Sequence, residues 1–349
     1  RMSASLLDVR NLCTYYVSAR GTRVTRAVDD VSLTLSEGET LGIVGESGSG
    51  KTTLALSILR LLPPAGRIVR GEIRFEGEDL VAKPNHEMRR IRGKRIAMIL
   101  QDPMASLNPL FTIGDQVAEP LRVHEGFSRN GAWAKAQELL KAVRIPAPEM
   151  RVREYPHQMS GGMRQRIVGA IAISCGPRLL IADEPTTSLD LTIQAQYLNL
   201  LRELQRAHKL ALIFITHNLG IVAKMCDRVA VMYAGRLVEA GPVKQIFNAP
   251  AHPYTQALLE SIPKLGNPRA RLTAIDGQPP DLAALPTGCP YHPRCPKVMD
   301  RCREEDSPEF SVADGHTSRC RLSGNSAGPM PPRRCSPKFP SPRGKRSRP

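Results

Sequence analysis

A glycine-rich segment constrains the fold of this sequence more than any other feature. Residues 45–53 read Gly-Glu-Ser-Gly-Ser-Gly-Lys-Thr-Thr, between an apolar strand pattern at residues 40–44 and a helical pattern at residues 51–62. Glycines allow the backbone to curl so that successive N–H groups point inward at phosphate oxygens, and the start of a helix adds its positive end. The segment fits the pattern G-x-x-x-x-G-K-[ST] in the strand–loop–helix context that the motif requires. It therefore predicts a binding site for a nucleoside triphosphate.

Two side chains of this segment are expected to act directly on the bound phosphates and their metal ion. Lys51 can reach the outer phosphates as a point charge, and Thr52 offers a hydroxyl to Mg²⁺. Backbone N–H groups of the loop supply the rest of the cradle. The further positions of the segment that we predict to contact ATP are Gly45, Ser47, Gly48, Ser49, Gly50 and Thr53.

An apolar run at residues 179–184 ends in two acids, Asp183 and Glu184, as a buried central strand does when its carboxyl end faces phosphates. Asp183, at the strand tip, is placed to hold Mg²⁺ through its water shell. Glu184 can orient the attacking water or accept its proton. Two acids after an apolar run are also common as helix caps, but the phosphate-binding loop in the same chain favours the catalytic interpretation.

Two further apolar runs also end in a polar residue. Residues 212–217 end in His217, and residues 96–101 end in Gln101. Since parallel strands present their carboxyl ends at one edge of a sheet, we expect both side chains near Asp183. We predict that His217 contacts the γ-phosphate, and that Gln101 ligates Mg²⁺ and senses the γ-phosphate.

Strand and helix patterns alternate along most of the chain, which predicts an α/β fold with a mainly parallel sheet covered on both faces. Residues 6–35 instead show short strands and turns typical of an antiparallel β edge. We expect a P-loop NTPase domain at residues 1–250, with a helical subdomain inserted at about 102–172. A small cysteine-containing extension follows at 251–322, and the basic, proline-rich tail at 323–349 is expected to be disordered.

Charge and hydropathy narrow the functional classes. The net charge is +16, but half of that excess lies in residues 321–349, so the basic character belongs largely to the tail. A solvated tail with loose affinity for anionic surfaces explains this distribution better than a specific nucleic-acid site. No run approaches the roughly 20 apolar residues that span a membrane. No secretory signal opens the sequence, so we expect the chain in the cytoplasm.

A second glycine-containing helix start lies at residues 159–166, which read Met-Ser-Gly-Gly-Met-Arg-Gln-Arg. The two acids at the end of the 179–184 run follow it, and then Ser-Leu-Asp at residues 188–190. Together with the phosphate-binding loop, these motifs resemble those of the ATP-binding subunits of ABC transporters. The resemblance implies an ABC ATPase fold, ATP and Mg²⁺ as ligands, and hydrolysis of ATP to ADP and phosphate.

The resemblance also implies further contacts to ATP. A hydroxyl and bare N–H groups at a helix start form a second phosphate grip, which in this family is applied to the ATP held by the opposing subunit. An aromatic side chain that stacks on adenine is expected upstream of the loop; Tyr16 is the candidate and Tyr15 the alternative. The residues that would contact the opposing subunit's ATP are Ser160, Gly161, Gly162 and Asp190.

Within this family, the sequence is similar to the dipeptide, oligopeptide and nickel importers. The similarity rests on residues 44–51, on Tyr-Pro-His-Gln at 155–158 and on His-Pro-Tyr-Thr-Gln-Ala-Leu-Leu at 252–259. It implies an ATPase at the cytoplasmic face of the bacterial inner membrane that powers uptake of di- or oligopeptides or similar small solutes. The expected partners are a second ATPase subunit, identical or related, two membrane-spanning permease subunits and an external solute-binding protein.

Other function classes stay open at this point. A nickel or other small-solute importer is the nearest alternative, because the sequence does not name the cargo. A soluble ATPase of the same superfamily that acts on nucleic acid or ribosomes would explain the basic tail, but the single ATPase module, the helical insertion and the extension disfavour it. A noncatalytic regulatory subunit conflicts with the complete set of catalytic residues.

Four cysteines cluster in the extension, at Cys289, Cys295, Cys302 and Cys320. Persistent disulfides are not expected in a reducing cytoplasm. Structural zinc usually shows a tight cysteine pair with two to four intervening residues, which this cluster lacks. Four thiolates can hold an iron–sulfur cluster. The extension resembles that of the peptide and nickel importer subunits, some of which carry a [4Fe-4S] cluster there. That cluster is the expected structural occupant, with zinc and unliganded thiols as the alternatives.

Overall fold

A computed structural model of the protein describes residues 5–187, 189–262 and 275–324. Ser188, from the predicted Ser-Leu-Asp motif, lies outside these ranges. The predicted tail does so as well from residue 325 onward. Among the residues described, no helix has both the length and the apolar character needed to cross a membrane.

The strands of the described residues form two sheets, one of eight strands and one of four. In chain order the strands are β1 (Leu7–Val17), β2 (Val24–Leu35), β3 (Thr40–Val44), β4 (Gly66–Phe75), β5 (Glu78–Asp79), β6 (Ile96–Ile99), β7 (Leu179–Asp183), β8 (Ala211–Ile215), β9 (Arg228–Tyr233), β10 (Arg236–Pro242), β11 (Phe310–Ala313) and β12 (His316–Ser318). The helices are α1 (Lys51–Ile58), α2 (Asn85–Ile91), α3 (Pro103–Ser106), α4 (Ile113–His124), α5 (Arg129–Ala142), α6 (Pro148–Arg151), α7 (Gly161–Ile173), α8 (Leu191–His208), α9 (Leu219–Met225), α10 (Val243–Asn248), α11 (Pro253–Glu260) and α12 (Asp300–Glu304).

The large sheet brings the predicted functional strands together. Its strand order is β11-β12-β10-β9-β3-β8-β7-β6. β3 pairs in parallel with β8 and β9, and β7 pairs in parallel with β8 and β6. Every residue of β3, β7 and β8 is buried, as continuous apolar runs are when both faces of a parallel sheet are covered. The predicted parallel sheet is confirmed.

The small sheet is antiparallel, in the order β2-β1-β4-β5. It confirms the antiparallel edge that the sequence predicts at residues 6–35 and adds β4, in which charged residues interrupt the apolar pattern. One buried cluster joins this sheet, α1 and the large sheet, and it includes Leu7, Leu54 and Ile213. The helix that follows the phosphate-binding loop is therefore packed between the two sheets.

α1 is shorter than the sequence pattern indicates. It ends at Ile58, whereas the pattern continues to residue 62. The backbone turns at Arg60, where φ is +52°, and Pro63 follows two residues after Leu61. A left-handed residue ahead of a proline cannot continue a helix, which explains the earlier end.

The helical subdomain lies between β6 and β7 in the sequence and includes α3 to α7. Buried side chains of α4, α5 and α7, among them Val117, Leu140 and Ile167, share a second cluster with Leu180 and Phe214 of the large sheet. This packing fixes the start of α7, and with it the Ser160–Gly162 segment, relative to the sheet.

The extension that the sequence predicts at residues 251–322 continues the large sheet. β12 pairs antiparallel with β10, and β11 pairs with β12. At this junction the buried carboxylate of Glu239 accepts hydrogen bonds from the amides of Ala251 and His252 and lies 2.8 Å from Nε2 of His316. Strands of four and three residues rich in polar side chains leave almost no periodic signal in the sequence.

Candidate nucleotide-binding site

The loop between β3 and α1 has the backbone shape that a phosphate cradle needs. Gly45, Gly48 and Gly50 have φ values of +154°, +78° and +103°. A Cβ atom on Gly45 would collide with the carbonyl of Met232, and one on Gly50 would collide with that of Ala27. The close approaches and the positive φ values exclude residues other than glycine at positions 45 and 50. The curled loop that the motif predicts is therefore present.

Lys51 is folded onto this loop. Its side chain is buried, and Nζ donates hydrogen bonds to the carbonyl oxygens of Gly45 and Glu46, at 2.8 and 2.9 Å. Burial lowers the pKa of Lys51, and the nearby carboxylates, Glu184 foremost, oppose that shift. The ammonium group is therefore held at the loop by backbone dipoles, where it can offer its charge to phosphate.

Asp183 ends β7 beside this lysine and has the features of a metal ligand. Its side chain is buried, and its Oδ1 atom has no hydrogen-bond partner. Burial raises the pKa of Asp183, while a hydrogen bond from the hydroxyl of Thr52 lowers it. A buried carboxylate oxygen without a donor is costly, and a divalent cation would satisfy it. Thr52, Asp183 and Gln101 all offer oxygen atoms, the ligands that Mg²⁺ prefers, so the residues present fit this ion.

Three polar side chains lie within 3.4 Å of the carboxylate of Glu184. Its Oε2 accepts hydrogen bonds from Nε2 of Gln101 and from the hydroxyl of Thr187, both at 3.1 Å. Nδ1 of His217 lies 3.4 Å from its Oε1. The structure thus joins the ends of β6, β7 and β8 around one carboxylate. Thr187 was not predicted, because a threonine three residues after an acid belongs to no pattern that the sequence analysis used.

The backbone of Glu184 is itself unusual. Its φ is +47°, in the left-handed region that a non-glycine residue occupies at a cost of about 1–3 kcal/mol. The amide of Glu184 donates to the carbonyl oxygen of Ile215 at 2.9 Å, which ties this conformation to β8. Strain of this kind is typical of functional sites, where surrounding structure holds a side chain in a fixed position.

The two candidate tyrosines have different environments. Tyr15 is completely buried, and its hydroxyl donates to Oδ1 of Asp29 at 2.7 Å. Tyr16 is partly exposed, and its hydroxyl lies 3.2 Å from that of Thr53 on α1. Only the Tyr16 ring is both accessible and beside the phosphate-binding segment. Adenine stacking therefore stays a prediction for Tyr16, because the alternative, Tyr15, is inaccessible.

The segment at residues 160–162 lies at the exposed start of α7. The hydroxyl of Ser160 accepts a hydrogen bond from the amide of Met163 at 3.3 Å, and a Cβ atom on Gly161 would meet open space. Asp190 caps α8 in the same way, through the amides of Thr192 and Ile193. Gly162 packs against Ile193, so these two helix starts are neighbours. Ser160, Gly161 and Asp190 are all exposed.

The four cysteines of the extension line one cavity together with His252. All four are free thiols and partly buried. Burial raises the pKa of Cys289 and of Cys320 to about 11. Among the residues that the structure describes, no group of three or more His, Cys, Asp or Glu side chains is arranged to hold a metal ion. The cysteines are brought together, but they do not form a closed ligand set.

Comparison with known proteins agrees with this geometry. Residues 28–187 match the family model described as ABC transporter, and residues 238–302 match the one described as oligopeptide/dipeptide transporter, C-terminal region. A dimeric ATP-binding cassette solved in a post-hydrolysis state with ADP and Pi is similar, with a TM-score of 0.61 and 26% identity over 68% of this chain and 98% of that one.

Several relatives are similar over nearly their whole length. A putative peptide import ATP-binding protein of Brucella melitensis is 49% identical over 90% of this chain and 96% of its own. An oligopeptide transport ATP-binding protein of Haemophilus influenzae is 49% identical over 91% and 97%, and a dipeptide transport ATP-binding protein of Bacillus subtilis is 49% identical over 91% and 94%. This chain belongs to the ATP-binding subunits of ABC transporters, in the subgroup that carries the oligopeptide/dipeptide transporter C-terminal region.

Proposed function

We propose that this chain hydrolyses ATP to power an importer of di- or oligopeptides or similar small solutes. The observation that carries the proposal is the Glu184 carboxylate, held by Gln101, Thr187 and His217 beside a complete phosphate-binding loop. The relatives named for peptide import support the choice of cargo. A nickel or other small-solute importer of the same subgroup is the alternative.

The chemistry follows from the positions of the side chains. Lys51 and the N–H groups of residues 45–53 neutralise and orient the β- and γ-phosphates. Thr52, Gln101 and Asp183 would hold Mg²⁺ together with ATP, and the ion would supply positive charge to the phosphate oxygens.

Glu184 orients the attacking water and accepts its proton, since its carboxylate is partly exposed at the edge where the strands end. His217 donates a hydrogen bond to the γ-phosphate, and adenine stacks on Tyr16.

We further infer that one chain makes only half of each site. Ser160, Gly161, Gly162 and Asp190 are placed to contact ATP bound by an opposing ATPase subunit, either a second copy or a related chain. The exposure of Ser160, Gly161 and Asp190 and the neighbouring helix starts support this, as does the dimeric state of the similar solved cassette. The subunit pair would drive two permease subunits at the cytoplasmic face of the inner membrane, supplied by an external solute-binding protein.

The cysteine cavity is the proposed place of a [4Fe-4S] cluster with a structural role. The support for this proposal is that four free thiols of the extension line one cavity, since four thiolates can ligate such a cluster. Iron and sulfide analysis of anaerobically purified protein tests this proposal. We expect equal amounts of iron and sulfide, lost in a Cys302→Ser variant; zinc, or no metal, in the unmodified protein would contradict it.

Copurification tests the transport role. A tagged chain, expressed with its neighbouring genes, should retain two hydrophobic permease chains in mild detergent and show ATP hydrolysis that rises when cargo-loaded binding protein is added. Recovery of nucleic acid or ribosomes in their place would favour the soluble ATPase and overturn the proposal. A Glu184→Gln chain serves as the matched control, because it should retain the permeases while hydrolysis is lost.

A further inference from the structure

The cysteine-containing extension contacts the phosphate-binding loop directly. Arg294 donates two hydrogen bonds to the carboxylate of Glu46, from Nη1 to Oε2 at 2.7 Å and from Nη2 to Oε1 at 3.0 Å. Glu46 is the second residue of the loop, and 248 positions separate the pair in sequence. This bidentate geometry is the strong form of an arginine–carboxylate interaction.

The guanidinium of Arg294 is held in place by its surroundings. Its side chain is only 3% exposed. Nε donates to the carbonyl oxygen of Asp276 at 2.8 Å, Nη2 reaches that of Ile275 at 3.3 Å, and the group lies over the ring of Tyr233. A buried arginine with these additional partners has a fixed orientation, so the contact differs from a mobile surface ion pair.

A second residue from beyond the core domain holds the same position of the loop through its backbone. The amide of Glu46 donates to the hydroxyl of Tyr254 at 3.0 Å, and the Tyr254 ring packs against those of Tyr233 and Tyr291. The carbonyl oxygen of Glu46 accepts the hydrogen bond from Lys51. One loop residue thus connects the extension with the lysine that serves the phosphates.

The contact between Arg294 and Glu46 also has an electrostatic role, because Glu46 carries a negative charge. A carboxylate in the phosphate-binding loop opposes an approaching triphosphate unless a cation compensates it. Arg294 supplies that cation from a buried position, where water screens the pair less than it does at the surface. Loss of Arg294 would leave the carboxylate uncompensated and its side chain free to move.

We propose that Arg294 is a positioning residue for ATP binding, which acts through Glu46 by neutralising and orienting it next to the phosphate cradle. The extension then contributes to the affinity of the nucleotide site. The inference rests on the proposed ATP binding, and the titration of the unmodified chain measures that binding separately.

The test is a double-mutant cycle on the full chain, read out as the Kd for MgATP. Arg294→Met should raise Kd about tenfold, the size expected for an uncompensated charge near an anionic ligand at a partly solvated site. Glu46→Gln should bind at least as tightly as the unmodified chain. The variant with both changes should bind within about twofold of it, because the repelling charge is gone.

Two further variants separate this effect from damage to the fold. Arg321→Met removes another arginine of the extension, one that pairs with Glu305 instead of the loop, and should leave Kd unchanged. Arg294→Lys keeps the charge without the bidentate fork and provides a folded variant should Arg294→Met fail to fold. Its Kd should lie between those of the unmodified chain and Arg294→Met. An unchanged Kd in Arg294→Met, or a double variant as weak as Arg294→Met, would overturn the proposal.

Discussion

The two regions of this chain that are assigned to ATP differ in how they are built. Around Glu184, side chains from three strand ends contact one another within a single chain, and Lys51 and Asp183 are buried. Around Ser160 and Asp190, exposed polar groups cap only their own helices. The first region is a set of side chains already in contact within one chain, and the second is an exposed surface that we propose to contact ATP bound by another subunit.

The difference follows from the elements that carry each region. Parallel pairing of β6, β7, β3 and β8 fixes their ends at one edge, so functional groups meet there by topology. The starts of α7 and α8 are instead fixed by the packing of these helices in the second buried cluster, which also contains residues of the large sheet. Substitutions in the first region should therefore change ATP binding or hydrolysis at the chain's own site, and those in the second should change hydrolysis only in the assembled transporter.

The largest effect is expected from Glu184→Gln. Loss of the carboxylate should lower ATP hydrolysis at least about a hundredfold, while MgATP still binds and dimers accumulate. Phosphate release and size-exclusion chromatography with MgATP measure both properties. Glu203→Gln, on the exposed side of α8, is the matched control and should keep the original rate. A near-native rate in Glu184→Gln would remove Glu184 from the mechanism.

Lys51→Ala should weaken the binding of ATP, whereas Glu184→Gln should slow its hydrolysis. Removal of the ammonium group deprives the phosphates of its charge, and we expect the Kd for a fluorescent ATP analogue to rise about tenfold or more. Lys135→Ala, an exposed lysine on α5, provides the comparison. Unaltered affinity in Lys51→Ala would show that the loop does not use this residue.

Gly161 allows the second region to be tested without disturbing the fold. A Cβ atom there meets open space, so Gly161→Ala and Gly161→Asp should both fold, and an acid is favourable in the first turn of a helix. We expect Gly161→Asp to lower hydrolysis in the assembled transporter about tenfold by repelling the opposing triphosphate, with a much smaller effect for Gly161→Ala. ATP affinity of the isolated chain should not change; a loss there would place this segment in the chain's own site.

The smallest effect is expected from Thr187→Ala. It removes one hydrogen bond to the Glu184 carboxylate, and kcat should fall about fivefold with little change in KM. Thr187→Ser keeps the hydroxyl and should restore the rate. If serine and alanine behave alike, the contact does not hold the carboxylate.

The sequence predicted those parts of the molecule that depend on local patterns. The strands β3, β7 and β8 begin and end within two residues of the predicted apolar runs, and the polar residues after β6, β7 and β8 meet as expected. β4 and the short strands of the extension were missed, because charged or polar residues mask their periodicity. The bond between Arg294 and Glu46 was not predictable either, since only the folded chain brings such distant residues together.

The central claim is that this chain binds ATP alone but cleaves it only against an opposing subunit. The direct measurement is the rate of phosphate release per chain, compared between the assembled transporter and the isolated chain held monomeric at saturating MgATP. We predict similar occupancy by ATP and a rate at least about tenfold lower for the isolated chain. Equal rates per chain would contradict the claim, because they would show that one chain contains a complete catalytic site.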